Sequence, residues 1–179
     1  MSNALIVIDM QQGSFTAATP RHDATALVQR INTLAASVRE KGGVVIHVQH
    51  DGPPGDPHQP ELPGWRFLPD IDVRRDDTIV RKTACDAFLQ TRLEAVLRAK
   101  GIDRLIITGC ATDYCVDTTV RSALARGYRT TAPSDGHTTS DRPHLPAVKI
   151  IEHHNAIWAD FLAPNGPAEV CRCTEVRLD

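Results

Sequence analysis

The stretch Leu105-Ile106-Ile107-Thr108-Gly109-Cys110-Ala111-Thr112-Asp113-Tyr114-Cys115-Val116 begins as an apolar strand and ends in polar residues that introduce a helix. Its first half is short, β-branched and without alternation, the pattern of a parallel strand covered on both faces. From Cys115 to Arg126, Val116, Val120, Ala123 and Leu124 recur at helical spacing, and Gly127 ends the run. Two other runs share the strand character, Ala4-Leu5-Ile6-Val7-Ile8 and Val44-Val45-Ile46-His47-Val48. Tyr128-Arg129-Thr130-Thr131-Ala132 and Thr78-Ile79-Val80 are weaker candidates. Helical patterns lie between the strands. Asp23 to Lys41 places Leu27, Ile31, Leu34, Ala35 and Val38 on one side, and further patterns cover Ala87 to Lys100 and about Pro146 to Phe161. This alternation predicts an α/β fold: a three-layer α/β/α arrangement whose mainly parallel sheet is covered by helices on both faces.

In such folds chemistry collects beyond the carboxyl ends of the strands. That rule selects Asp9 after the first strand, His50 and Asp51 after the second, and Gly109 to Cys115 after the Ile106 strand. Cys115 stands at a strand-to-helix switch, where unpaired N–H groups favour a thiolate and can receive an oxyanion. The plain alternative is a buried, inert cysteine. Asp9 reads as a base, a metal ligand or a helix cap. Lys82, in Val80-Arg81-Lys82-Thr83, is either a solvated charge or a cation that lowers the pKa of a nearby thiol. Among the histidines, His47 lies inside a strand pattern and His153-His154 on the last helix, whereas His50 and His137 follow strands as candidate substrate contacts.

Composition narrows the function classes. The 179 residues suit one domain over 1–179, with 163–179 as a C-terminal extension. A net charge of −2 with intermixed signs lacks the clustered basic face of a nucleic-acid binder. The run Ala4 to Ile8 is too short to span a bilayer, and without a signal-peptide pattern a cytosolic protein is expected. The five cysteines, Cys85, Cys110, Cys115, Cys171 and Cys173, are odd in number and irregularly spaced, which argues against a disulfide framework. Cys171-Arg172-Cys173 lacks the spacing of a zinc site. Between Asp51 and Asp77 stand six prolines, three glycines and Trp65, a composition that predicts an active-site cover or a partner surface.

Taken together, these residues resemble the isochorismatase-like cysteine hydrolases, which include nicotinamidases, carbamoylsarcosine amidases and ureidoacrylate amidases. Four elements carry the resemblance: Leu5 to Gln11; Arg81-Lys82-Thr83 with Asp86-Ala87-Phe88; Gly109 to Asp117, continuing to Ala123; and Asp135-Gly136-His137-Thr138-Thr139. It extends from about Ala4 to about Phe161. It implies a catalytic triad of Asp9, Lys82 and Cys115. It also implies a cis peptide between Cys110 and Ala111, with the Ala111 and Cys115 N–H groups facing the oxyanion.

The implied reaction is hydrolysis of the C–N bond of a small amide, ureido or carbamoyl compound through a thioester. Vinyl-ether hydrolysis and a non-catalytic redox or partner role are the alternatives. The resemblance further implies a homo-oligomer, a dimer or a tetramer. Nicotinamidases carry a metal-binding Asp-x-His motif and a further His after the second strand; His50-Asp51-Gly52-Pro53 lacks that spacing, so neither metal nor cofactor is expected. His47, His50 and His58 form the alternative metal set. For the substrate pocket, Phe15, Trp65 and Tyr114 are candidate walls, and His50, Asp51 and Asp113 candidate polar contacts, Asp113 being equally a candidate helix cap.

Overall fold

Ala4, Ile6 and Ile8 face one side of the first strand and Leu5 and Val7 the other, and each set meets its own apolar layer. In the computed structural model, which describes residues 2–178, that strand is β1 (Ser2–Ile8), at the centre of a six-stranded sheet. On one side of it lie β2 (Val44–His50) and then β3 (Thr78–Lys82). On the other lie β4 (Ile102–Cys110) and β5 (Arg129–Thr131), with the short β6 (His137–Thr138) beside the end of β4. All the pairings are parallel, and Ile6 stands between Ile46 and Ile107 in register. Burial on both faces explains why these strands read as continuous apolar runs; each fully buried Leu or Ile contributes ~1.5–3 kcal/mol.

One face is covered by α1 (Ala24–Glu40), whose Leu27, Ile31, Leu34, Ala35 and Val38 pack on Leu5, Val7 and Ile106. The other face carries α2 (Leu93–Ala99), α3 (Asp117–Ala125) and α4 (Ala147–Ala159), which contribute Leu97, Val120 and Trp158 to the second core. This is the three-layer arrangement that the sequence predicts. Among the described residues no helix is long and apolar enough to cross a membrane.

Three elements differ from the sequence-based expectation. The predicted helix from Ala87 begins only at Leu93, because Gln90 takes a φ of 55° and Thr91 Oγ1 donates to the Ala87 carbonyl and accepts from the Leu93 N–H. The helix expected from Cys115 starts at Asp117 and is preceded by one wide π turn over Thr112–Val116, so Cys115 lies in that turn. The C-terminal stretch extends the sheet: Glu169 bridges Thr131, and Val176 and Leu178 pack against the α1 layer.

The strand order sets the place of the site. The chain builds β1, β2 and β3 outward in one direction and then returns to the other side of β1 with β4. The crevice at such a switch point lies beyond the ends of β1 and β4, where Asp9 and Cys110 follow. Gly109 sustains the close approach there. Its φ is +119°, and a Cβ would run into the Ile8 carbonyl oxygen.

Candidate active site

Asp9 follows β1 with a φ of 48°, a left-handed conformation that Asp tolerates better than most residues, while its N–H donates to the Val48 carbonyl at 3.0 Å. Lys82 is the last residue of β3, and its side chain is fully buried. The ammonium lies 2.7 Å from Asp9 Oδ2 and 3.2 Å from Cys115 Sγ, and it also donates to the Ala84 carbonyl at 3.0 Å. One lysine thus joins residues from three separate places in the chain. Beside it the Cys110–Ala111 peptide is cis, and the Ala111 carbonyl accepts from the N–H groups of Tyr114 and Val116 to close the turn that carries Cys115.

Electrostatics determine the resting form. Burial pulls Lys82 down, but Asp9 and Cys115 more than offset it and hold the ammonium above the usual lysine range. Burial pushes the Cys115 thiol up, and the negative charge of Asp9 adds to this, outweighing Lys82. The sequence suggests a thiolate favoured by a helix N-terminus; in the folded site the thiol is the resting form. Asp9 Oδ1 is buried and has no hydrogen-bond partner among the described residues, leaving a carboxylate oxygen with free lone pairs.

These groups open into a cavity of about 510 Å³ lined by Asp9, Cys110, Ala111 and Cys115 on its floor and by Ser14, Arg21, His50, Asp56, His58, Tyr114 and Arg142 around it. A larger hollow of about 650 Å³ lies between α1 and residues 173–178, but it gathers none of the strand-end residues, which open into the cavity that holds Cys115. The 51–77 segment folds over the ends of β1 and β2. Gln11, fully buried, donates to the carbonyls of His50 and Trp65 and accepts from the His50 N–H, tying the cover to both strand ends.

A family model for the isochorismatase domain matches residues 3–160. The chain belongs to the isochorismatase family. It is 36% identical to streptothricin hydrolase of Streptomyces noursei over 145 residues, which are 81% of this chain and 52% of that protein. The chain therefore spans about half the length of that relative. It is 28% identical to ureidoacrylate amidohydrolase of Klebsiella pneumoniae over 70% of this chain and 69% of that one. The crystal structure of N-carbamoylsarcosine amidase from Thermoplasma acidophilum matches with a TM-score of 0.78 at 26% identity, covering 98% of this chain and 99% of the other.

Within this isochorismatase-family site, His50 and Tyr114 line the cavity, Tyr114 being 54% exposed at its mouth. Burial, reinforced by Lys82, pushes His50 below the usual histidine range, so its imidazole is neutral near pH 7. Asp51 and Trp65 lie outside the lining: Trp65 Nε1 donates to Asp51 Oδ1 at 2.8 Å, and Arg81 pairs with the other Asp51 oxygen while stacking on the indole. Phe15 packs against the α1 layer. Asp113 caps no helix; it accepts from Thr139 Oγ1 and pairs with Arg142 at 2.7 Å. His47 is bound to Asp77 and lies apart from the contact between His50 and His58, and among the described residues no group of three His, Cys, Asp or Glu is placed to hold a metal ion. Ser14, Arg21, Asp56 and Arg142 carry no motif, and His58 stands out in the sequence only as a metal candidate. Their convergence depends on how two long loops fold across the strand ends.

His137 is not a substrate contact. It is buried, with Nε2 3.0 Å from Asn155 Oδ1 and Nδ1 2.8 Å from Thr112 Oγ1. Asn155 Nδ2 donates to the Ser134 carbonyl, so Oδ1 faces His137; the ring therefore donates through Nε2 and accepts from Thr112 at Nδ1. Burial lowers this histidine to about 4. Between about 4 and the ordinary ~6.5 the unfolded chain binds the extra proton, so stability falls as the pH falls through that window. Urea unfolding at pH 7 and pH 5 should differ by about 2 kcal/mol from this group, less stable at pH 5. His137→Gln should flatten the dependence, and an unchanged slope would remove His137 as its source.

Proposed function

We propose that this chain is a cysteine hydrolase cleaving the C–N bond of a small amide, ureido or carbamoyl compound through a thioester. The observation that carries the reading is the buried Lys82 ammonium, held between Asp9 Oδ2 at 2.7 Å and Cys115 Sγ at 3.2 Å on the floor of an open cavity. Asp9, with Oδ1 free to accept, takes the thiol proton as Sγ attacks the carbonyl carbon. Lys82 stays charged throughout and balances the negative charge as it passes from carboxylate to sulfur. The carbonyl oxygen becomes an oxyanion, received by the N–H groups of Ala111 and Cys115. Asp9 then gives its proton to the leaving nitrogen, and the C–N bond breaks to leave a thioester on Cys115. Water, deprotonated by Asp9, attacks that thioester; the acid leaves and the thiol regains its proton.

The relatives support the same reaction class, since two of them are named as an amidohydrolase and an amidase and a third as a hydrolase. The test is ammonia release from a panel of small amides, ureas and carbamoyl compounds, combined with acid-quenched mass spectrometry of the Cys115 peptide. Release together with an acyl adduct on Cys115 is expected. Silence across the panel would overturn the reading.

A further inference from the structure

Of the charged side chains that line the cavity, all but one are engaged by another side chain. Asp9 is paired with Lys82. Arg142 donates through Nε and Nη2 to Asp113 Oδ2 at 2.9 and 2.7 Å, and its guanidinium lies 5.1 Å from the centre of the Tyr114 ring, so its charge is already engaged. Asp56 accepts from the backbone N–H of His58 at 2.7 Å and from His58 Nδ1 at 3.0 Å through the same oxygen. Arg21 is different. It is half-buried in the cavity wall, and among the described residues no carboxylate pairs with it. Its Nε donates to the Ser14 carbonyl at 2.6 Å, and this contact orients the guanidinium.

The support behind that contact is itself fixed. Ser14 Oγ lies 2.9 Å from His58 Nε2. Because the Asp56 carboxylate can only accept, His58 carries its hydrogen on Nδ1 and takes the Ser14 hydroxyl proton as an acceptor at Nε2. An ordered chain of contacts from Asp56 through His58 and Ser14 thus anchors one nitrogen of Arg21. The two terminal nitrogens are left for a ligand. A guanidinium fork with two parallel donors matches a carboxylate better than any neutral amide, and a partly desolvated cation gains most from an opposite charge.

We propose that Arg21 binds a carboxylate of the substrate, so that the compound cleaved here is an acid bearing a carboxamide, ureido or carbamoyl group. The inference rests on the amide-hydrolase reading and narrows its substrate class. Because Arg21 shares the cavity with Cys115, one molecule can place its carboxylate on the guanidinium and its carbonyl above the sulfur.

Calorimetric titration of the Cys115→Ala protein with ureidoacetate, and with the neutral primary amide of the same compound, tests it without turnover. Ureidoacetate should bind at least about tenfold more tightly than its amide. Adding Arg21→Gln should abolish that preference and leave the affinity for the neutral amide unchanged, while Arg21→Lys should retain part of it. In the protein with Arg21 intact the preference should shrink as salt is raised, a readout that holds if the Arg21→Gln protein does not fold. Equal affinities, no binding of either compound, or a preference that survives Arg21→Gln would overturn the proposal. The two readings fail separately. If ureidoacetate binds through Arg21 but the wild type releases no ammonia from it or from the panel, the hydrolase reading falls and the carboxylate site stands.

Discussion

Cys115→Ala protein is expected to lose turnover by at least about 10⁴-fold while unfolding at the wild-type denaturant midpoint. The two halves of the expectation have separate causes. Without sulfur there is no thioester, and Cys110 cannot substitute: it shares the cavity floor, but the Lys82 ammonium lies against the sulfur of Cys115 and not against its own. The fold survives because Lys82 keeps its ion pair with Asp9 and its bond to the Ala84 carbonyl, so no buried charge is orphaned. The removed atom borders an open cavity, and truncation there creates little new void. Steady-state kinetics beside urea unfolding checks both halves. Activity retained in a folded variant would remove Cys115 as nucleophile.

Lys82→Met combines the two losses. The Asp9 side chain is only 7% exposed, and the substitution leaves its carboxylate buried without a cation. Removing one partner of such a pair costs ~3–5 kcal/mol, so the variant should unfold at clearly lower denaturant than Cys115→Ala. The thiol is affected as well. Lys82 is the group that opposes burial and Asp9 in holding the Cys115 pKa down, so its loss moves the reactive thiolate to still higher pH. Alkylation of the Cys115 peptide followed against pH should therefore begin later in the variant than in the wild type. Turnover should fall by at least about 10³-fold, because the carboxylate that accepts the proton is no longer held against sulfur. An unchanged alkylation profile would remove Lys82 from the catalytic set.

The residues differ in how far their roles can be read along the chain. The strands are legible because burial on both faces demands a continuous apolar run, and Ile6, Ile46 and Ile107 meet that demand one beside the other. The positions after the strands follow from topology, which is why Asp9 and Cys115 stand out in the sequence itself. Helix starts are less legible, since Gln90 and the π turn at Thr112 depend on local bonds to Ala87 and Ala111 that periodicity does not encode. Phe15, Asp51 and Trp65 have the chemistry of pocket residues, yet Phe15 packs on the core, and Asp51 and Trp65 bond to one another where the 51–77 segment turns them.

By itself, the sequence determines the three-layer parallel fold, the strand ends that carry the polar residues and the cysteine at the β4 switch, because each follows from local pattern and from the connectivity of a parallel sheet. The tertiary structure alone decides that Lys82 bridges Asp9 and Cys115, that the thiol rests protonated, and that Arg21 enters the cavity without a carboxylate partner among the described residues. Those properties depend on distance, burial and the summed field of groups remote in sequence, and charge–charge energy at 3 Å inside a protein is set by which groups folding has brought together and how much water it has removed.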